Sequence, residues 1–224
     1  MTSRIIFLNK LDRPGASVHS STTSILLHKL HSQPMTLTLP ISSFDPADYP
    51  RAEPGLQGLV DLVNWKLWRW DGDDHATHTL PETPQDLQSL GFITKDHPII
   101  PHLFESRTQL LDNLSMFSDE LLEALLNRSS NADGYVDISS SLIKRCLRQA
   151  TLNTAIVPVL CGSALKHIGT ELLLDYAGEL LASPVDVSPA PQCRNAPLAM
   201  LAWKVTWDSK RGWMTFVRVY SGQH

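Results

Sequence analysis

The sequence predicts a mixed α/β chain, and three observations carry that prediction. Two short runs, Ile5-Ile6-Phe7-Leu8 and Ile156-Val157-Pro158-Val159-Leu160-Cys161, are continuously apolar, as expected of strands buried on both faces of a parallel sheet. Between them, Met35-Thr36-Leu37-Thr38-Leu39-Pro40-Ile41 alternates strictly and reads as a half-buried strand. From Pro101 onward the apolar period changes to that of amphipathic helices.

In chain order, the first apolar run breaks off into Asn9-Lys10-Leu11-Asp12, and Pro14-Gly15 turns the chain away. The hydroxyls of Ser20 to Thr23 are candidate caps for a helix carrying Ile25, Leu26 and Leu30, which Gln33-Pro34 stops. After the 35–41 strand, Ser42 to Pro54 reads as a surface loop. Leu56 to Val63 and Lys66 to Trp70 then form two more strands of a small antiparallel sheet, ending at Asp71-Gly72-Asp73-Asp74. Residues 72–100, with Pro81, Pro84 and Pro98, read as a long excursion. Leu103, Arg107, Leu110, Leu111 and Leu114 share one helical face, Ser118-Asp119-Glu120 caps a second helix through Asn127, and Asn131 to Gly134 is a turn. A third helix starts at Asp137 and carries Ile138, Leu142, Ile143, Cys146 and Leu147. After the second apolar strand, Gly162-Ser163-Ala164 breaks the run, and Thr170 caps a helix from Glu171 to about Leu181. Residues 183–197 have the composition of a linker, and Leu198 to Val205 and Trp213 to Ser221 begin a new all-β unit.

The 224 residues carry a formal charge of −4 from 19 basic and 23 acidic side chains, without a basic block that would mark a nucleic-acid stripe. At 42% hydrophobic residues the chain can bury a core, yet no run approaches the ~18 apolar residues of a membrane span, so no membrane partner is expected. Cys146, Cys161 and Cys193 are far apart and without a CxxC pair, which argues against a disulfide framework or a cysteine zinc site.

The chemistry concentrates after the two apolar strands. In parallel sheets ligands sit beyond the carboxyl ends of strands, where Asn9, Lys10 and Asp12 stand. A carboxylate at Asp12 can accept from both the ring N1–H and the exocyclic amine of guanine, whereas adenine offers no donor pair at that edge. Asn9 would hydrogen-bond the base and neighbouring loops, and the Lys10 stem would cover the purine face. Sites built on such bonds reject analogues lacking the group by ~10⁴ or more, because the buried acceptor is left unpaired. If the second strand lies beside the first, the backbone N–H of Ala164 reaches guanine O6.

NKLDRPGAS, LTLPI, GLQGLVDLV, KLWRWDGDD, VPVLCGSALKHIGTELLLD and FVRVYSG follow one another in an order that resembles translational GTPases of the elongation factor G type, across essentially the whole chain. The resemblance implies the C-terminal part of a doubly wound P-loop GTPase domain with an inserted α/β subdomain, followed by the start of a β-barrel. It places the base-binding strand and helix at 1–32, the insert at 33–134, the rest of the GTPase domain at 135–184, a linker at 185–197 and the barrel start at 198–224. It also implies GTP or GDP with Mg²⁺ as ligands, the ribosome as partner, and roles in base reading for Asn9, Lys10, Asp12, Ser163, Ala164 and Leu165. The resemblance leaves translocation and recycling both open as the task; the tryptophan-rich stretch and the 42–54 loop depart from typical bacterial sequences and lean towards a mitochondrial member, such as one specialised for recycling, with a cytoplasmic one as the alternative.

The 224 residues contain no GxxxxGK[ST] and no DxxGH after a strand, so phosphate binding, magnesium ligation and catalysis have no counterpart within them. A buried-type strand directly after Met1-Thr2-Ser3 also lacks a flanking strand, and together these predict the middle of a longer factor. A nucleotide-free binding module and a truncated gene product compete with that reading. His75 and His78 are read as a polar loop tip rather than a metal cluster, and Trp65, Trp68 and Trp70 as packing against the helices rather than stacking on nucleic acid.

Overall fold

The computed structural model describes residues 2–49, 55–71, 74–83, 86, 87, 90, 91, 93, 94, 97–127, 135–183, 186 and 197–221. The chain divides into two units, Met1–Leu181 and Ala182–His224. The expected turn at 131–134 and most of the 185–197 linker fall outside the described residues.

The first unit holds two sheets. Strands β1 (Ile6–Leu8), β2 (Pro34–Thr36) and β7 (Val157–Cys161) form a parallel sheet in the order β1-β7-β2. Strands β3 (Thr38–Ile41), β4 (Gly58–Asp61), β5 (Lys66–Asp71) and β6 (Asp74–Thr79) form an antiparallel meander. Helices α1 (Val18–Leu27), α2 (Ile99–Ser115), α3 (Asp119–Leu126), α4 (Ser140–Leu152) and α5 (Thr170–Leu180) complete the unit. The α/β class read from the sequence is the one observed.

Several elements differ from the sequence expectation, each for a physical reason. The 35–41 stretch is two strands, because the chain changes sheets at Leu37: its N–H donates to Val159 O and its carbonyl accepts from Leu62 N, each at 2.9 Å. Alternation therefore lapses, and Leu37 and Thr38 are both fully buried. β1 is half-buried rather than buried on both faces, since among the described residues it pairs only with β7. The cap of α1 is Ser17, whose hydroxyl accepts from Ser20 N at 3.2 Å; Ser21 and Thr22 sit inside the helix and bond back to the carbonyls of Ser17 and Val18. Ile25 alone of the α1 side chains is buried, with Leu26 and Leu30 exposed. α4 begins at Ser140 behind the cap Ser139, leaving Asp137 and Ile138 outside it.

The expected excursion at 72–100 contains β6. Its Asp-His-Ala-Thr-His-Thr sequence gives no apolar signal because it is the meander's edge strand, for which no buried face is required. His75 and His78 thus lie in a strand, and the His75 ring stacks on Trp68 at 5.0 Å. The tryptophans separate: Trp65 meets Phe104 of α2 edge to face at 5.3 Å, while Trp68 and Trp70 stack on each other at 6.0 Å.

The two sheets are fastened by Thr38 and Cys161. Thr38 Oγ1 accepts from Cys161 N at 3.0 Å, and Cys161 Sγ donates to Thr38 O at 3.4 Å. Burial pushes the Cys161 thiol up to about 12, so it serves as packing and not as a nucleophile.

The turn joining β4 to β5 gathers the rest. Asp61 is fully buried; its Oδ1 accepts from Val63 N (3.0 Å), Asn64 N (3.1 Å) and the Tyr176 hydroxyl of α5 (2.6 Å), and its Oδ2 from Asn64 Nδ2 (2.6 Å). Arg107 of α2, 1% exposed, donates to the carbonyls of Leu62, Val63 and Ile138, and its guanidinium lies 5.2 Å from the centre of the Trp65 ring. Burial lowers the Arg107 pKa to about 10, with Asp61 opposing that shift, so the group stays charged at neutral pH.

The second unit is a hairpin of β8 (Ala199–Asp208) and β9 (Gly212–Ser221). Asp208 Oδ1 accepts from the N–H groups of Lys210 and Arg211, each at 2.9 Å, and Gly212 at φ 78° closes the turn. Among the described residues, no helix is long and apolar enough to cross a membrane.

Asp61→Ala removes the acceptor of three N–H groups and a hydroxyl and leaves Arg107 without its countercharge. The expected loss is about 3–5 kcal/mol, read as a lower urea midpoint with Asp61→Asn in between. Equal midpoints for the Ala variant and the parent would show that the turn does not depend on this carboxylate.

Candidate guanine-base site

Parallel pairing of β1 with β7, in the register Ile6 with Val159, Phe7 with Leu160 and Leu8 with Cys161, brings their carboxyl ends side by side. The loops 9–12 and 162–165 therefore emerge together. The ladder continues into them: Gly162 N donates to Leu8 O at 3.0 Å, and Leu11 N to Gly162 O at 3.1 Å. A Cβ on Gly162 would lie 2.2 Å from Ile168 O and 2.9 Å from Phe7 Cζ, so only glycine permits this approach. Gly169, at φ 79°, closes the far side of the second loop, where Ser163 and Ile168 exchange backbone hydrogen bonds at 2.9 and 3.0 Å.

Asn9 joins the two loops. Its Oδ1 accepts from Lys10 N at 2.8 Å and from Ala164 N at 2.9 Å. Lys10 adopts φ 65°, and its exposed side chain lines an open cleft with Ser17 and Ser20 at the start of α1. The Ala164 N–H is engaged by Asn9, so donating to a base oxygen requires Asn9 to share or release it. Leu165 is 78% exposed, on the outside of the loop.

Asp12 is partly buried beside the second loop. The Ser163 hydroxyl has the largest effect on its carboxyl, holding it below the usual carboxylate range; burial opposes this, and Lys166 and Arg13 reinforce it. Lys166 Nζ stands 3.9 Å from Asp12 Oδ2. Ser163 Oγ is buried and makes no hydrogen bond of standard geometry, so it acts on Asp12 as a nearby dipole rather than through a closed bond.

These residues suit the base of a guanine nucleotide. Asp12 is an ionised acceptor, Ala164 offers a backbone donor, and the unpartnered Ser163 hydroxyl leaves polar capacity at the site. They do not suit its phosphates or magnesium, for which the 224 residues hold no GxxxxGK[ST]. Among the described residues no cluster of metal-ligating side chains occurs. The sequence reading did not assign Lys166, Gly162 or Gly169. Their signal was present in GSALKHIG, where a cation follows the small residues and two glycines bracket the loop.

No family profile matches the chain. The chain aligns over 232 positions, at 30% identity and 98% coverage of its length, with elongation factor G of Ureaplasma parvum serovar 3. Elongation factor G of Ureaplasma urealyticum serovar 10 matches with the same identity and coverage. The chain spans 30% of the length of these relatives. A crystal structure from Thermus thermophilus superimposes with a TM-score of 0.66 over 98% of this chain and 27% of that one, at 19% identity, a likeness of fold.

Ser163→Ala should raise the Asp12 pKa toward the ordinary carboxylate value, as read from a ¹³C carboxyl titration. Because the folded pKa is depressed, the stability that Asp12 contributes is present above the unfolded pKa and is lost as pH falls through the folded one. The variant narrows that window. An unmoved titration would remove Ser163 as its cause.

Proposed function

We propose, from the premise that over this stretch the chain belongs to the elongation factor G family, that residues 9–12 and 163–165 are the guanine-reading part of a GTP-hydrolysing translation factor acting on the ribosome. The observation that carries this reading is the Asn9 side chain bridging to Ala164 N across 155 residues, which holds the two base-reading loops as one unit. In it Asp12 accepts from the base, the Ala164 N–H donates to it as a bond shared with Asn9 Oδ1, the Lys10 stem covers its face, and Ser163 and Leu165 shape the second loop. The ribosome as partner, and translocation or recycling as the task, rest on the family. A mitochondrial member is the reading we favour, on the tryptophan-rich β5 and the 42–54 loop.

The competing reading is a binding module without nucleotide chemistry. The two meet in one expectation: residues 1–224 alone neither hydrolyse GTP nor bind it tightly. Phosphate and magnesium contacts supply the transition-state stabilisation in such enzymes. Base contacts of ~1–3 kcal/mol each are offset by ordering costs of similar size.

The test is an NMR titration of ¹⁵N-labelled chain with millimolar guanosine, adenosine and xanthosine, alongside calorimetry with Mg·GTP. Guanosine should shift the amides of Leu11, Ala164 and Lys166 where adenosine does not. Asp12→Asn should transfer the preference to xanthosine, because a donor then faces the xanthine carbonyl. Equal responses to guanosine and adenosine would favour the nucleotide-free module, and submicromolar Mg·GTP binding would overturn the expectation that phosphate contacts are lacking.

A further inference from the structure

We infer that a cavity at the amino end of β7, remote from the base loops, is a binding site for a small carboxylate with an apolar body. The cavity, open to solvent on one side, has a volume of about 220 Å³. Leu30, Ile156 and Val157 supply its apolar walls, and the His31 ring forms another. That ring is fixed at both nitrogens: Nδ1 accepts from Gln33 N at 3.0 Å, and Nε2 lies 3.3 Å from Thr154 O. The imidazole is thereby a wall of set orientation, with Nδ1 unavailable to donate.

Two polar groups give the site its chemistry. Thr151, in the last turn of α4, lines the cavity, is 1% exposed, and its Oγ1 has no hydrogen-bond partner. A buried hydroxyl left unpaired is costly, and a ligand acceptor would relieve it. Arg4, exposed at the rim, supplies a cation, and none of the described residues lining the cavity is acidic. An anion is therefore favoured and a cation disfavoured. Scaled from a ~150 Å³ cavity that takes benzene, the space suits roughly nine non-hydrogen atoms. An apolar body of that size with one carboxylate matches the three features of the lining: the apolar walls, the unpaired hydroxyl and the cation at the rim.

Sodium benzoate is the probe, with benzyl alcohol as its neutral counterpart and sodium sulfate, at matched ionic strength, as an anion without an apolar body. In ¹H–¹⁵N spectra of the 224-residue chain, benzoate should move the amides of Thr151, Ile156 and Val157 saturably. Sulfate should not move them, and benzyl alcohol should bind at least about tenfold more weakly. Arg4→Gln, an exposed substitution that leaves the fold intact, and the near-isosteric Thr151→Val should each weaken benzoate about tenfold while the amides of Leu11 and Ala164 keep their positions. Shifts that never saturate, equal affinity for benzyl alcohol, or unchanged affinity in either variant would each overturn the assignment.

Discussion

The arrangement of the first unit depends on one buried carboxylate. Asp61 terminates β4, accepts from the backbone of the turn that follows, and takes a hydrogen bond from Tyr176 of α5. Arg107 of α2 reaches the same turn from the other side through its carbonyls. The turn is thus bonded on both its donor and its acceptor sides, by a negative and a positive group. Burial raises the Tyr176 pKa well above its usual value, so the phenol stays protonated and remains a donor. Sheet, α2 and α5 are held to one geometry by bonds that no apolar contact would orient.

That geometry reaches the loops after β1 and β7 through shared backbone. The strand path from Pro34 to Ile41 belongs to both sheets, and the Thr38 to Cys161 bonds tie the meander to the end of β7. One residue later comes Gly162, wedged against Ile168 and Phe7, and the second loop begins. Its position is therefore set by the antiparallel sheet as much as by the parallel one. The pairing of β1 with β7 then leaves Asn9 beside Ala164.

What could be read in the sequence was whatever local pattern dictates. The runs at 5–8 and 156–161 announced strands because they are uniformly apolar, and Asn9, Lys10, Asp12 and the small residues after Cys161 were visible as polar breaks in those runs. β6 was hidden, since an edge strand of Asp, His and Thr carries no burial signal. The change of sheet at Leu37 was hidden because hydrogen-bond partners, not side-chain type, decide which sheet a residue joins. Asp61 and Arg107 lay in plain view, a lone acid in GLVDLV and a lone cation on the apolar face of α2. A charge at a buried position demands partners, and the two meet at one turn, Asp61 through its N–H groups and Arg107 through its carbonyls, but nothing local states that arrangement. Nor does composition disclose that Asn9 Oδ1 is already committed to Ala164 N.

The pairing of β1 with β7 also sets an order of events during synthesis. Asn9 and Ala164 are separated by 155 residues, and at ~5–20 residues per second a nascent chain holds β1 without its β7 neighbour for roughly 8–30 s. The meander and α2 to α4 are made entirely of intervening sequence, so whatever part of them has formed by then shortens the loop left to close and reduces the entropy cost of the final closure. Of the two loops that Asn9 joins, the one translated earlier must wait for the later one before it is secured.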